Sequence, residues 1–137
     1  MRVLLSIKPV HALNILGGHK TFEFRRRLFS RDVTTVVIYC TLPIGKIVGE
    51  FDIDGILEST PASLWRKTSK GSGISKDYFD DYFRGRDRAF AIQIGEVRIY
   101  SAQIEPDDLL RDFTPPQSYM YVKDERLKRG RKQLMSC

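Results

Sequence analysis

Two cysteines and two histidines are all that 137 residues provide. Cys40 and Cys137 are too few for a disulfide framework, and no zinc-ligand spacing is present. Cys40 ends an apolar stretch and reads as buried, and Cys137 reads as a free thiol; both suit a reducing cytoplasm. No apolar run approaches the roughly 18 residues of a membrane-spanning helix. The start, Met1 to Lys8, is too short and too charged for a signal peptide. There is no Ser-His-Asp arrangement, no phosphate-binding glycine loop, no internal repeat and no linker. Nothing calls for a cofactor.

What is present is an ordinary globular composition, 42% hydrophobic and 29% charged, in a length that suits one domain with a real core. The net charge of +6 is uneven. Residues 123–137 hold six basic and two acidic side chains, so this tail carries most of the excess. It reads as a solvated terminus or as a phosphate-seeking arm. The expected division is a domain over 1–122 and a basic tail over 123–137.

Val3–Ile7 is β-rich. Pro9 suits the first turn of a helix whose apolar stripe includes Val10, Leu13 and Leu16, with Gly17 or Gly18 at its end. Thr21–Arg26, Val33–Cys40 and Lys46–Leu57 read as strands. Thr60 and Ser75 are placed to cap two helices, the second being Lys76–Phe83. Its Tyr78, Phe79, Tyr82 and Phe83 fall at helical spacing, which favours core packing over ligand contact. Ala89–Ile94 and Val97–Ser101 read as strands broken around Gly95, Glu105–Phe113 as a helical turn, and Ser118–Val122 as a closing strand. Strands with inserted helices but no regular βαβ alternation predict an α+β fold, a curved sheet closing into a small barrel.

The densest chemistry is the run from Gly18 to Arg27. If residues 21–27 form a strand, Phe22 and Phe24 face one way and Thr21, Glu23, Arg25 and Arg27 the other, with Arg26 pointing away from them. One face can be core. The other offers an acid, bases and a hydroxyl, with Lys20 at the strand entrance. Glu23 can hold Lys20 and Arg25 in place, and a desolvated Lys20 beside Arg25 can act as a general base. The same cluster can also be an ion pair stitching a barrel mouth. Arg25, Arg26 and Arg27, with Arg31 close by, read as phosphate contacts or as a solvated strand end. Arg84, Arg86 and Arg88 form a second basic turn. Tyr119 and Tyr121 share a strand face and can stack unpaired bases. Glu50, Asp52 and Asp54 alternate along one strand; the solvated face is preferred over a cation site, so no metal is assigned. His11 and His19 can act as an acid–base pair in metal-free RNA cleavage if they converge.

The string Gly18-x-Lys20-x-x-Glu23-x-Arg25, entered from Leu5-Ser6-Ile7-Lys8-Pro9, resembles the signature of ASCH domains, relatives of the PUA fold. Val48-Gly49-Glu50-Phe51, Ser72-Gly73-Ile74-Ser75, Ala89-Phe90-Ala91-Ile92 and Pro115-Pro116-Gln117-Ser118 extend the likeness over about residues 2–122. It implies a PUA-like mixed β-barrel with inserted helices and a cleft beside the first helix and second strand. Members include proteins that cleave RNA and proteins that remove an acetyl group from modified cytidine. Carried over, Lys20, Glu23 and Arg25 line the cleft, and Gly18 permits close backbone approach. The deacetylating members pair the lysine with a hydroxyl residue and an acid. Here Glu23 stands at the hydroxyl position, and Lys70-Gly71-Ser72-Gly73 carries no acid.

The resulting expectation is a module that binds RNA, or a modified nucleotide in it, through Gly18, Lys20, Glu23, Arg25, Arg26, Arg27 and Tyr119. The alternatives are a ribonuclease or amidohydrolase-like enzyme with Lys20 and Glu23 as catalytic residues, and a regulatory module that meets DNA or a partner through its tail.

Overall fold

The computed structural model describes residues 1–30, 32–109, 114–116 and 118–122. Arg31, Gln117, the end of the predicted Glu105–Phe113 turn and the basic tail with Cys137 lie outside the described residues. The chain order is β1 (Arg2–Ile7), α1 (Pro9–Leu16), β2 (Phe22–Arg25), β3 (Thr35–Cys40), β4 (Lys46–Ser59), α2 (Pro61–Thr68), a 3-10 turn (Ser69–Gly71), α3 (Lys76–Tyr82), β5 (Ala89–Ile104), α4 (Pro106–Leu109) and β6 (Tyr119–Val122). One six-stranded sheet runs β2-β5-β4-β3-β1-β6. β1 and β3 are parallel and the other pairs antiparallel. The architecture is an α+β half-barrel.

Local chemistry accounts for the helices. Pro9 occupies the first turn of α1, where a missing N–H costs nothing. The Thr60 hydroxyl accepts from the Ser63 N–H and the Ser75 hydroxyl from the Tyr78 N–H, so both predicted caps form. None of the described helices is long and apolar enough to cross a membrane.

The β1 and β3 runs are apolar on both faces because both faces are covered. Val3, Leu5, Ile7, Val36, Ile38 and Cys40 pack with Phe51 and with Ala12 and Ile15 of α1. Leu4, Val37 and Tyr39 pack on the opposite side with Ile47, Tyr100 and Val122. A third cluster joins Phe24 of β2 to Leu64, Phe79 and Phe83 beneath α2 and α3. The predicted break at Gly95 is absent. β5 is one continuous strand, and the irregularity expected at Gly95 takes the form of a register shift, with Phe51 opposite Val97 and Ile53 opposite Ile94 so that Gly95 and Glu96 fall in the bulge.

β2 and β6 are the two ends of the sheet order, and Arg25 reaches across the gap between them. Its Nη1 donates to the Ser118 carbonyl (3.5 Å) and hydroxyl (3.3 Å), and its Nη2 to the Ser6 carbonyl of β1 (3.1 Å). Nε and Nη2 also donate to Glu23 Oε2, at 3.0 and 2.7 Å. All five guanidinium N–H groups therefore have acceptors. Removing one partner of such a buried pair strands the other charge. Arg25→Met should lower stability by about 3–5 kcal/mol in urea unfolding. Adding Glu23→Met should restore part of that loss and not all of it, since the Ser6 carbonyl still lacks the donor that Arg25 supplied, whereas the Ser118 carbonyl keeps the Ser6 N–H.

Candidate functional site

Beside the Arg25 bridge lies an open cavity of about 700 Å³. Its walls come from three stretches remote in sequence: residues 6–28, the α3 region, and Ser118–Tyr119. The segment from β1 into α1 brings Lys8 and His11. A glycine turn follows, in which the Asn14 carbonyl accepts from the backbone N–H of both His19 and Lys20. Gly18 takes φ +80° there, with nothing within 4 Å of where a Cβ would stand. Its service is to the turn. It does not line the cavity, and close backbone approach is not what requires a glycine at this position.

Lys20 turns inward and is 2% exposed. Its Nζ donates to the Ser72 carbonyl at 2.6 Å and sits 4.9 Å from the centroid of the Phe24 ring. The loop carrying Ser72 lies directly on it. A Cβ on Gly73 (φ +66°) would stand 2.7 Å from that of Lys20, and the Gly71 carbonyl accepts from the Thr21 N–H at 2.8 Å. Burial pulls the Lys20 pKa below the usual lysine value; Glu23 opposes this and Arg25 adds to it. The Glu23 carboxylate points to Arg25, so its hold on Lys20 is through space and not by a direct ion pair among the described residues.

The basic side chains sort by what they already do. Arg25 and Lys20 are buried and engaged. Arg84 pairs with Asp81 and Arg88 with Glu58, both outside the cavity. Lys8, Arg27 and Arg86 line the cavity, are exposed, and have no partner among the described residues. Arg26 lines it as well. Strand alternation does not separate Arg26 from Arg27, because β2 stops at Arg25 and the chain bends. The basic turn thus contributes Arg86 alone to the cavity.

The aromatic stripe of α3 divides in the same way. Phe79 and Phe83 are core, with Phe24 edge-on to both at 5.1 and 6.2 Å. Tyr78, expected in the core, faces the cavity instead, and Tyr82 packs against the core cluster while also lining the cavity. Tyr119 lines it from β6, with Phe29 and Tyr121 behind its ring. Tyr121 is turned to the loop, its hydroxyl accepting from the Ser30 N–H at 2.7 Å.

His11 Nε2 shares a 3.1 Å hydrogen bond with the Tyr78 hydroxyl, and Nδ1 is buried with no partner among the described residues. His19 is exposed and outside the cavity, so the two histidines do not meet.

On the far face of the sheet the alternating carboxylates are neither solvated together nor gathered for a cation. Arg98 donates to Glu50 (2.8 Å), to Asp52 (3.0 Å from Nη1) and to Glu96 (2.9 Å), and Tyr100 donates to Glu50 at 2.9 Å. The Arg98 hydrogen bonds hold the Asp52 carboxyl below its usual pKa. Asp54 alone of the three is exposed. No cluster of three or more His, Cys, Asp or Glu able to hold a metal occurs among the described residues.

Burial, and then the charge of Lys20, lower the pKa of His11. A histidine with a depressed folded pKa binds its proton more readily when unfolded. Its contribution to stability is therefore lost as pH falls below the ordinary histidine value of about 6.5. The urea midpoint of the wild type should drop more steeply from pH 7 to pH 5 than that of His11→Gln.

No protein-family model matches the chain. It is 35% identical over 124 residues to a protein of Ureaplasma parvum serovar 3 named large ribosomal subunit protein uL22, covering 88% of this chain but only 39% of that protein. The chain thus spans about two fifths of that relative. It is 27% identical over 131 residues to an ASCH domain-containing ribonuclease of Zymomonas mobilis, covering 92% of this chain and 87% of that one. The crystal structure of the ASCH protein from Zymomonas mobilis superposes with a TM-score of 0.84 at 26% identity, over 91% of this chain and 90% of that one. With the α+β half-barrel and the Gly18–Arg25 string that runs from the end of α1 through β2, the chain is similar in sequence and fold to ASCH domain proteins.

Proposed function

We propose that this domain binds single-stranded RNA in the cavity beside α1 and β2. The observation that carries the reading is the set of three exposed, unengaged cations, Lys8, Arg27 and Arg86, around a concave site walled by Tyr78, Tyr82 and Tyr119. Cations without carboxylate partners attract a polyanion, and rings supply stacking for unpaired bases. A cavity of about 700 Å³ takes small-molecule-sized pieces, so a strand enters by its bases and not as a duplex. In this reading Arg25 and Glu23 shape the cleft, and the phosphate contacts fall to the rim.

Affinity for a single-stranded oligoribonucleotide should fall as salt rises, by about 0.7 log units per log unit of salt for each phosphate contact. Arg27→Glu and Arg86→Glu should each weaken binding at least fivefold and flatten the salt slope by about one such contact. Unchanged affinity for both variants in fluorescence anisotropy would refute this reading.

The name of the Zymomonas relative supports a second reading, RNA cleavage. Metal-free cleavage needs a group to take the 2′-hydroxyl proton and another to return a proton to the leaving 5′-oxygen. Lys20, in the cavity wall with a lowered pKa, suits the first task; Glu23, committed to Arg25, does not. Lys20→Met should abolish cleavage of a dye-labelled oligoribonucleotide while urea unfolding shows the fold intact. Equal turnover by the variant would exclude Lys20 as the base.

A further inference from the structure

Arg26, unlike the buried Lys20, is a cation at the cavity that is both exposed and held in place. Its Nε donates to the backbone carbonyl of Tyr82 at 2.7 Å, and its Cζ lies 4.2 Å from the centroid of the Tyr82 ring. That ring is itself fixed. The Tyr82 hydroxyl donates to the Phe24 carbonyl at 3.3 Å, and the ring packs against Phe83 at 4.8 Å and 76°. The guanidinium is therefore held at two points on a rigid support, and it remains exposed on the cavity side.

This anchoring changes what the side chain can bind. The side-on fork that an arginine offers to a phosphate uses Nε together with one Nη. Here Nε is already occupied by a carbonyl. Arg26 has no carboxylate partner, and no second ring lies against it among the described residues. What it presents is a planar cationic surface already backed by one ring. Guanidinium planes stack on π systems, and unpaired bases in RNA are held on such planes. Lys8, Arg27 and Arg86, exposed and with no ion-pair partner among the described residues, are better suited to the flanking phosphates.

We propose that Arg26, laid on Tyr82, is a stacking shelf for one unpaired nucleobase, so that a bound strand is gripped through a base at this point and through its phosphates at the rim. The proposal rests on the RNA-binding reading above.

The test uses two single-stranded octaribonucleotides, one with a central 2-aminopurine and one with the same backbone but abasic throughout. Arg26→Lys keeps the charge and removes the plane. The wild type should quench 2-aminopurine on binding. Arg26→Lys should bind the base-bearing strand about tenfold more weakly and with less quenching. It should bind the abasic strand as the wild type does, with the same salt slope. Tyr82→Leu, which removes the backing ring, should reproduce the loss. If Arg26→Lys binds the base-bearing strand as tightly as the wild type, the shelf is wrong while RNA binding stands. If the wild type binds neither strand at low salt, the RNA reading falls and the shelf with it. Circular dichroism checks that each variant is folded.

Discussion

The molecule depends on a pair of charges that closes what the backbone leaves open. A sheet running from β2 to β6 has two free edges, and a barrel normally removes such edges by hydrogen-bonding the first strand to the last. Here a side chain performs the closure. Arg25, 9% exposed, ties β2 to Ser6 and Ser118, with Glu23 beside it to balance the charge. A buried ion pair is seldom favourable against apolar packing, but this one satisfies every N–H of the guanidinium. Two consequences follow. The strands are joined at one end without being zipped along their length, and the unzipped part is the cavity.

Closure by a side chain also divides the cationic residues into two populations. Those that build the cleft, Arg25 and Lys20, are buried and hydrogen-bonded. Those at its edge, Lys8, Arg27 and Arg86, have no carboxylate partner among the described residues. The field at the mouth is therefore set by residues that contribute little to folding, whereas the residues of the Gly18–Arg25 string hold the walls apart.

Much of the fold was legible because its signals are local. Pro9, Thr60 and Ser75 mark helix starts by filling or capping the first turn. The β-branched run ending at Cys40 is a strand buried on both faces. The site was legible only in outline. Alternation placed Glu23 and Arg25 together but failed for Arg26 and Arg27, because the strand ends at Arg25 and periodicity says nothing beyond a strand end. Helical spacing put all four α3 aromatics in the core, yet two of them meet a void, since the pattern reports which side of a helix is covered and not whether the cover is continuous. Glu50 and Asp52 read as wet because nothing local marks Arg98, 48 residues from Glu50, as their common partner.

Arg25 and Ser118 stand 93 residues apart. As the chain leaves the ribosome, the Gly18–Arg25 segment emerges early and meets Ser6 at once, but its arginine must wait for the end of the domain before it can reach Ser118. Until then the cavity lacks one wall, and any compact intermediate offers a loose basic hairpin in place of a shaped cleft. Long-range pairing of this kind slows folding. It also means that the cavity gains its last wall, Ser118 and Tyr119, only at the end of assembly.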